Sequence, residues 1–213
     1  MIIDERFRTF INSMDTPHTD FLEKLYERAQ EDGVPVIRRE MQSFLKTFLN
    51  ISRPKAILEV GTAVGFSAIL MAQYTPDIEK ITTIENYEKR VTEARKNIGA
   101  SGFSDIIELI NADAADVLQR LDTQYDLIFM DAAKGQYINF LPHIKRLMKK
   151  RSVLISDNVL QNGDMIESRF VVERRDRTIH KRMREYLYVL KHDEELLTSI
   201  IPLGDGITLS VMR

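Results

Sequence analysis

Ile57-Leu58-Glu59-Val60-Gly61-Thr62-Ala63-Val64-Gly65-Phe66-Ser67 is the stretch that decides how the rest of the chain is read. An apolar run passes into a glycine turn, and small residues then open a helix. That is how a parallel β-strand hands over to a helix whose N-terminus faces a ligand. The glycines are spaced Gly-x-x-x-Gly behind an acid, which is not the Gly-x-Gly-x-x-Gly that cradles a dinucleotide pyrophosphate. A carboxylate at Glu59 would repel a pyrophosphate and suits a ligand carrying positive charge. Glu85 closes the next apolar strand, Ile81-Thr82-Thr83-Ile84, 20 residues after Gly65. In α/β nucleotide sites an acid at that place hydrogen-bonds ribose hydroxyls. S-adenosylmethionine, a nucleoside with ammonium and sulfonium groups, satisfies both acids. The competing reading is a bare βα turn in another doubly wound domain.

Outward from this turn the chain alternates. Short β-type runs at 56–60, 81–84, 106–110, 127–130 and 153–155 are separated by helical stretches. This pattern predicts βαβ units and a parallel, doubly wound Rossmann-like sheet. Residues 196–201 and 207–211, joined by Gly204-Asp205-Gly206, read as an antiparallel hairpin on its edge. Before Pro54 the period is helical over 4–13, 19–32 and 38–50, with Pro17 and Pro35 as breaks and Gly33 as a stop. The expectation is a single domain over 1–213, with N-terminal helices at 1–52 and the Rossmann-like core at 53–213.

Composition narrows the function. Hydrophobic residues make up 44% and charged residues 29%, ordinary for a soluble globular protein. No apolar run approaches the ~18 residues of a membrane span. Acids and arginines mix near Met1, so a secretory leader is not expected. The absence of cysteine excludes disulfides, thiolate nucleophiles and zinc–sulfur sites, and fits a cytoplasmic protein. A net charge of −2 means that any nucleic-acid contact must come from a local patch.

The predicted strand ends deliver Glu59, Glu85, Asp113, Asp131 and Asp157-Asn158 to one rim, where open α/β sheets bind their ligands. Asp113 either contacts an adenine amino group, with Ala114 against the ring, or simply caps the helix that follows. Asp131 and Asp157 each follow a strand that should be dry. Two carboxylates converging there would repel unless a cation lay between them. With the Asn158 amide oxygen they make three hard oxygen donors suited to Mg²⁺ or Mn²⁺, leaving positions for water and substrate. Lys134 stands where the helix dipole disfavours a cation, so a role in taking a hydroxyl proton is expected of it. A substrate with two vicinal oxygens would chelate such a metal best: a catechol, or a uracil with a 5-hydroxyl beside its 4-carbonyl. Aligning an ionised oxygen with a methyl sulfonium could supply about 7–11 kcal/mol through orientation alone.

With Glu59–Ser67, Glu85, Asp113-Ala114, Asp131-Ala132-Ala133-Lys134 and Asp157-Asn158 in view, the chain resembles the cation-dependent O-methyltransferases over nearly its whole length. That family includes the catechol and caffeoyl-CoA enzymes. In look it is similar above all to the bacterial members that methylate wobble 5-hydroxyuridine of tRNA to 5-methoxyuridine. The shared features are a short N-terminus, Asp131–Gln136, and an arginine-rich segment after Asp157-Asn158. The resemblance implies that Ile37, Glu59, Gly61, Thr62, Ser67, Glu85, Asp113, Ala114 and Asp131 contact S-adenosylmethionine. It also implies that Asp131, Asp157 and Asn158 hold the metal, that Asp131 and Lys134 are catalytic, and that the protein is a homodimer joined through its N-terminal helices and strand edge. Two positions depart from the family pattern: Ile37 stands where a methionine is common, and Arg151-Ser152 replaces a glycine pair, expected to be a surface turn before the fifth strand.

From Arg169 to Arg184 seven basic residues (Arg169, Arg174, Arg175, Arg177, Lys181, Arg182 and Arg184) face two acids, Glu173 and Asp176. Phosphate contacts from Arg174, Arg175, Arg177, Lys181 and Arg182 could position a tRNA anticodon loop without reading its sequence. Otherwise the run is a solvated helix face, and the substrate a catechol-like or caffeoyl-CoA-like small molecule. A non-enzymatic cofactor binder would have no use for a metal and a base together. A nicotinamide dehydrogenase has the wrong glycine pattern.

Overall fold

Runs of β-branched and aliphatic residues become strands, and stretches with apolar spacing of three and four become the helices that cover them. The computed structural model describes residues 4–168 and 170–213, for Asn162 the backbone alone. They fall into two compact units, Arg6–Val117 and, together with Asp4 and Glu5, Leu118–Arg213.

The N-terminal unit opens with three helices, α1 (Glu5–Ser13), α2 (Asp20–Glu31) and α3 (Arg39–Ser52). α2 buries Leu22, Leu25 and Ala29, and α3 buries Met41, Leu45 and Leu49, each a stripe at helical spacing. Truncating a fully buried leucine such as Leu45 costs about 2–5 kcal/mol. α3 stops ahead of Pro54, which cannot extend it. Three parallel strands follow in the order β3-β2-β1: β1 (Ala56–Val60), β2 (Lys80–Glu85) and β3 (Ile107–Asn111). The crossovers are α4 (Phe66–Tyr74) and α5 (Glu88–Ser101). α4 is apolar all round and buried from Phe66 to Ala72, as a helix in the middle of a layer must be. Gly65 at its start has φ +85° and lies so close to α5 that a Cβ there would sit 3.5–3.6 Å from Ile98 and Ala94.

Helix α6 (Ala114–Arg120) leads into the C-terminal unit. There β4 (Tyr125–Met130) pairs parallel with β5 (Met148–Ser156) across α7 (Tyr137–Leu147). After α8 (Arg177–His192), β6 (Leu196–Ile201) and β7 (Ile207–Met212) close the chain as an antiparallel pair, with β7 against β5. The strand order in this unit is β4-β5-β7-β6. The mixed α/β architecture is the one the alternation predicts: parallel strands, helical crossovers and a C-terminal antiparallel hairpin.

One expectation is corrected. Arg151-Ser152 is not a turn ahead of the fifth strand, because β5 already begins at Met148. The pair sits inside β5 at a bulge, where pairing with β4 jumps from Tyr125↔Met148 to Leu127↔Val153. Arg151 takes φ +69° there, and Ser152 Oγ donates to the Lys149 carbonyl at 2.6 Å. The extra residues are looped out, which a period-2 pattern cannot reveal.

Candidate active site

The predicted residues form two groups, one in each unit. In the N-terminal unit, β1 carries Glu59 and the turn after it Gly61 and Thr62. Glu59 is fully buried, and its Oε2 accepts the Thr83 hydroxyl at 2.5 Å, which in turn lies 2.5 Å from Thr62 Oγ1. Through Oε2, Glu59 therefore ties β1 to β2 from inside. The Gly61 amide donates to the Ile84 carbonyl at 3.0 Å, which lays the turn across the end of β2. Glu85 at that end accepts three backbone amides at 3.0 Å, from Ala63 on Oε2 and from Asn86 and Tyr87 on Oε1. Its carboxylate thus draws the glycine turn and the following loop together. Ser67 lies in the first turn of α4, 9% exposed.

Asp113 performs the capping role: its Oδ1 accepts the Ala115 amide at 2.9 Å at the start of α6. Asn86 Nδ2 reaches its Oδ2 at 3.4 Å, and Ala114 is half-buried beside it. Ile37 is buried, and its carbonyl accepts Gln42 Nε2 at 2.7 Å. The other Gln42 atom, Oε1, meets His18 Nε2 at 2.9 Å.

In the C-terminal unit, Asp131 follows β4 and Asp157-Asn158 follows β5. The Asp157 amide donates to the Met130 carbonyl at 2.9 Å, so the two strand ends are level. Asn158 takes φ +59°, a left-handed conformation that asparagine tolerates, and its Nδ2 donates to Asp131 Oδ1 at 3.0 Å. Its amide nitrogen also donates to Asp157 Oδ1 at 2.7 Å. Burial raises the Asp131 carboxyl above its ordinary range, against the Asn158 hydrogen bond and the Lys134 charge. Burial pushes Asp157 up to about 7, and the Asp131 charge adds to it. The Lys134 charge does not offset burial at either carboxyl, and a divalent cation would reverse the rise at both. Among the described residues no three of His, Cys, Asp and Glu come together, because the third donor here is an amide. Two carboxylates and an amide oxygen are hard donors that fit Mg²⁺ or Mn²⁺. Lys134 opens a short 3₁₀ turn, Lys134–Gln136, and is half-buried.

Residues 12–213 match the model of a family described as O-methyltransferase. The chain belongs to that family. It is an S-adenosylmethionine-dependent O-methyltransferase of the catechol and caffeoyl-CoA type. A catechol O-methyltransferase from Niastella koreensis is 30% identical over 143 residues, 64% of this chain and 65% of that protein's length. Caffeoyl-CoA O-methyltransferase 1 from Eucalyptus globulus is 30% identical over 182 residues, 78% of this chain and 70% of its own. The same fold is seen in the SAH-bound Podospora anserina methyltransferase, with a TM-score of 0.89 at 23% identity, covering 98% of this chain and 94% of that one.

Two supports of the candidate site escape the sequence. Tyr137, fully buried, puts its hydroxyl 3.1 Å from the Met130 carbonyl and 3.0 Å from that of Asp157, stapling the two strand ends that bear the acids. The closing Gly204-Asp205-Gly206 turn does more than join a hairpin. The Val159 and Leu160 amides donate to the Gly206 and Asp205 carbonyls at 2.9 Å. Gly206 has φ +84°, and a Cβ there would lie 2.3 Å from Leu160 Cγ, so only glycine lets the turn brace the Asp157-Asn158 loop. A tyrosine after Asp131–Gln136 was the available signal for the first, whereas the second is a long-range contact with none.

The basic segment is only partly free to meet a ligand. Arg177 donates to the Phe170 and Val172 carbonyls at 3.2 Å, and Arg182 to the Gly135 carbonyl at 3.2 Å. Arg184 bonds the carbonyls of Met165 and Glu167 at 3.3 and 3.4 Å. These three clamp neighbouring loops to α8. Arg175 pairs with Glu173 at 3.0 Å and Asp176 at 3.5 Å, while Arg174 and Lys181 are exposed. Arg169 lies outside the described residues.

Proposed function

We propose that this enzyme transfers a methyl group, with a divalent metal, to the 5-hydroxyl of wobble 5-hydroxyuridine in tRNA, giving 5-methoxyuridine. The observation that carries the metal-dependent reading is the buried pair Asp131 and Asp157, both raised by burial and Asp157 further by the Asp131 charge, with Asn158 bonded to each. In this reading those three residues hold Mg²⁺ or Mn²⁺, which when bound makes a hydroxyl more acidic and fixes its orientation. Asp131 orients the substrate oxygens, and Lys134 Nζ takes the hydroxyl proton. The influence of the Lys134 charge on both carboxyls supports that assignment. Ile37, Glu59, Gly61, Thr62, Ser67, Glu85, Asp113 and Ala114 form the S-adenosylmethionine side, Glu59 by shaping the turn from within. A family match that runs unbroken across both units supports a single catalytic domain.

Support for the tRNA substrate comes from exposed Arg174, Arg175 and Lys181 on the segment that follows the metal residues, and from the likeness at Asp131–Gln136. A cytoplasmic location follows from that substrate. Among the described residues no helix is long and apolar enough to cross a membrane. The second reading, a catechol-like or caffeoyl-CoA-like small molecule, is favoured by the names of the relatives. Either way the protein acts as a homodimer. Helix α1 buries none of its residues and leaves Phe7, Phe10 and Ile11 63%, 64% and 53% exposed, an apolar face suited to a second copy.

The test is labelled methyl transfer from S-adenosylmethionine, with Mg²⁺ or EDTA, to tRNA containing 5-hydroxyuridine and to a simple catechol. EDTA-sensitive labelling of the tRNA, much faster than of the catechol, is the expected result. Labelling of catechol alone would leave the small-molecule reading.

A further inference from the structure

The segment leading from the metal residues to α8 holds three large apolar side chains in water. Ile166, Phe170 and Val171 are 81%, 79% and 71% exposed. The segment is not loosely attached. Its Met165 and Val172 are buried at 5% and 8%. Its carbonyls at Met165, Glu167, Phe170 and Val172 accept hydrogen bonds from Arg177 and Arg184 on α8, and His180 Nε2 lies 3.2 Å from the Glu167 carbonyl. Phe170 thus stands in solvent on a stretch whose own carbonyl is bonded to α8. Exposed apolar clusters of this kind mark surfaces that meet a partner.

Charge selects the partner. Exposed Arg174 and Lys181 lie on the same stretch, and Arg175 is held only by acids in open solvent, a pairing worth little. An apolar protein partner would leave these cations without a role. An unpaired nucleobase uses both features, its face on an aromatic ring and its phosphates on the cations. We propose that Phe170, with Val171 beside it, is a stacking platform for an unpaired base of the RNA substrate, and that Arg174 and Lys181 bind the adjoining phosphates. This rests on the RNA reading above. It assigns recognition to Phe170 and relieves Arg177, Arg182 and Arg184, which hold the platform and its surroundings in place.

The experiment measures binding of a fluorescent anticodon stem-loop carrying 5-hydroxyuridine to the full chain, beside Phe170→Ala and Phe170→Trp. S-adenosylmethionine affinity, melting temperature and sedimentation are recorded for each. The expected result is at least about fivefold weaker RNA binding by Phe170→Ala, restored by Phe170→Trp, with the three control readouts unchanged. Tight binding by the parent protein and by Phe170→Ala alike overturns the platform while the RNA reading stands. If the parent protein neither binds the stem-loop nor methylates the tRNA, the RNA reading fails and the platform with it. A change of sedimentation in Phe170→Ala shows the patch to be a contact between copies, which also overturns the proposal.

Discussion

Glu59 in the N-terminal unit and Asp157 in the C-terminal unit are both nearly sealed from water, at 0% and 6% exposure, yet the protein treats them in opposite ways. Glu59 Oε2 accepts a threonine hydroxyl, and Glu85 nearby collects three backbone amides, so each of these acids has a partner within the N-terminal unit. Asp157 shares its surroundings with Asp131, and each is driven toward the protonated form. Hydrogen bonds of this kind preorganise a turn whether or not a ligand is bound. An unneutralised pair of carboxylates is a standing demand for a cation. A buried carboxylate is tied to the adjacent strand in one half and set against a repelling neighbour in the other.

The sharpest way to break this comparison is Asp157→Ala. Removing one of the three proposed donors should lower methyl transfer at least about a hundredfold, as even outer-shell losses at metal sites cost about 10–100-fold. Binding of S-adenosylmethionine, measured by calorimetry, should be nearly unchanged. Lost cofactor binding would mean that the acid pair serves the cofactor half as well. Next in size is the stabilisation by metal. Saturating Mg²⁺ at about 100 times its dissociation constant should add about 2.7 kcal/mol to the parent protein, seen as a higher Tm. Asp157→Asn should lose that response. Without metal it should melt no lower than the parent, because one of two repelling charges is gone. A parent protein whose Tm ignores both Mg²⁺ and Mn²⁺ would remove the metal from the picture.

Glu85→Gln tests the other half. Charge-assisted hydrogen bonds are worth about 1.5–3 kcal/mol, so weakening this junction should raise the S-adenosylmethionine dissociation constant about tenfold or more. The Mg²⁺ response should survive. Its loss in this variant would show that the two halves are not separately organised.

The halves also differ in how far the sequence discloses them. The β-strand, glycine turn and acid at Ile57–Gly65 announce themselves locally, because strand periodicity and turn chemistry are short-range. The strand ends at Asp131 and Asp157 were legible for the same reason, and the antiparallel hairpin from its turn. What stayed hidden depends on contacts distant along the chain. Examples are Gly206 against Leu160, Tyr137 across two strands, and arginines whose partners are carbonyls rather than phosphates. A row of cations looks the same in sequence whether it faces RNA or its own backbone.

The smallest effect lies away from the site, in the helices that back the cofactor half. Glu23 accepts both arms of Arg39, at 2.9 and 2.5 Å, and the His18 amide at 2.8 Å, while the guanidinium lies 4.0 Å over the Tyr26 ring. The Arg39 hydrogen bonds lower the Glu23 carboxyl from 4.5 to about 2, against its partial burial. A folded value below the unfolded one means that the pair stabilises fully above about 4.5 and that this is lost as pH falls toward about 2. Because the pair stands partly in water, its worth is at most about 1 kcal/mol, or about 2–4 °C in Tm. Glu23→Gln should therefore melt lower than the parent at pH 7, with the gap closing on acidification through that window. A gap that stays constant down to the acid end would show that Glu23 acts by packing and neutral hydrogen bonding. The N-terminal unit would then owe less to charge than the hydrogen bonds of Glu23 and Glu85 imply.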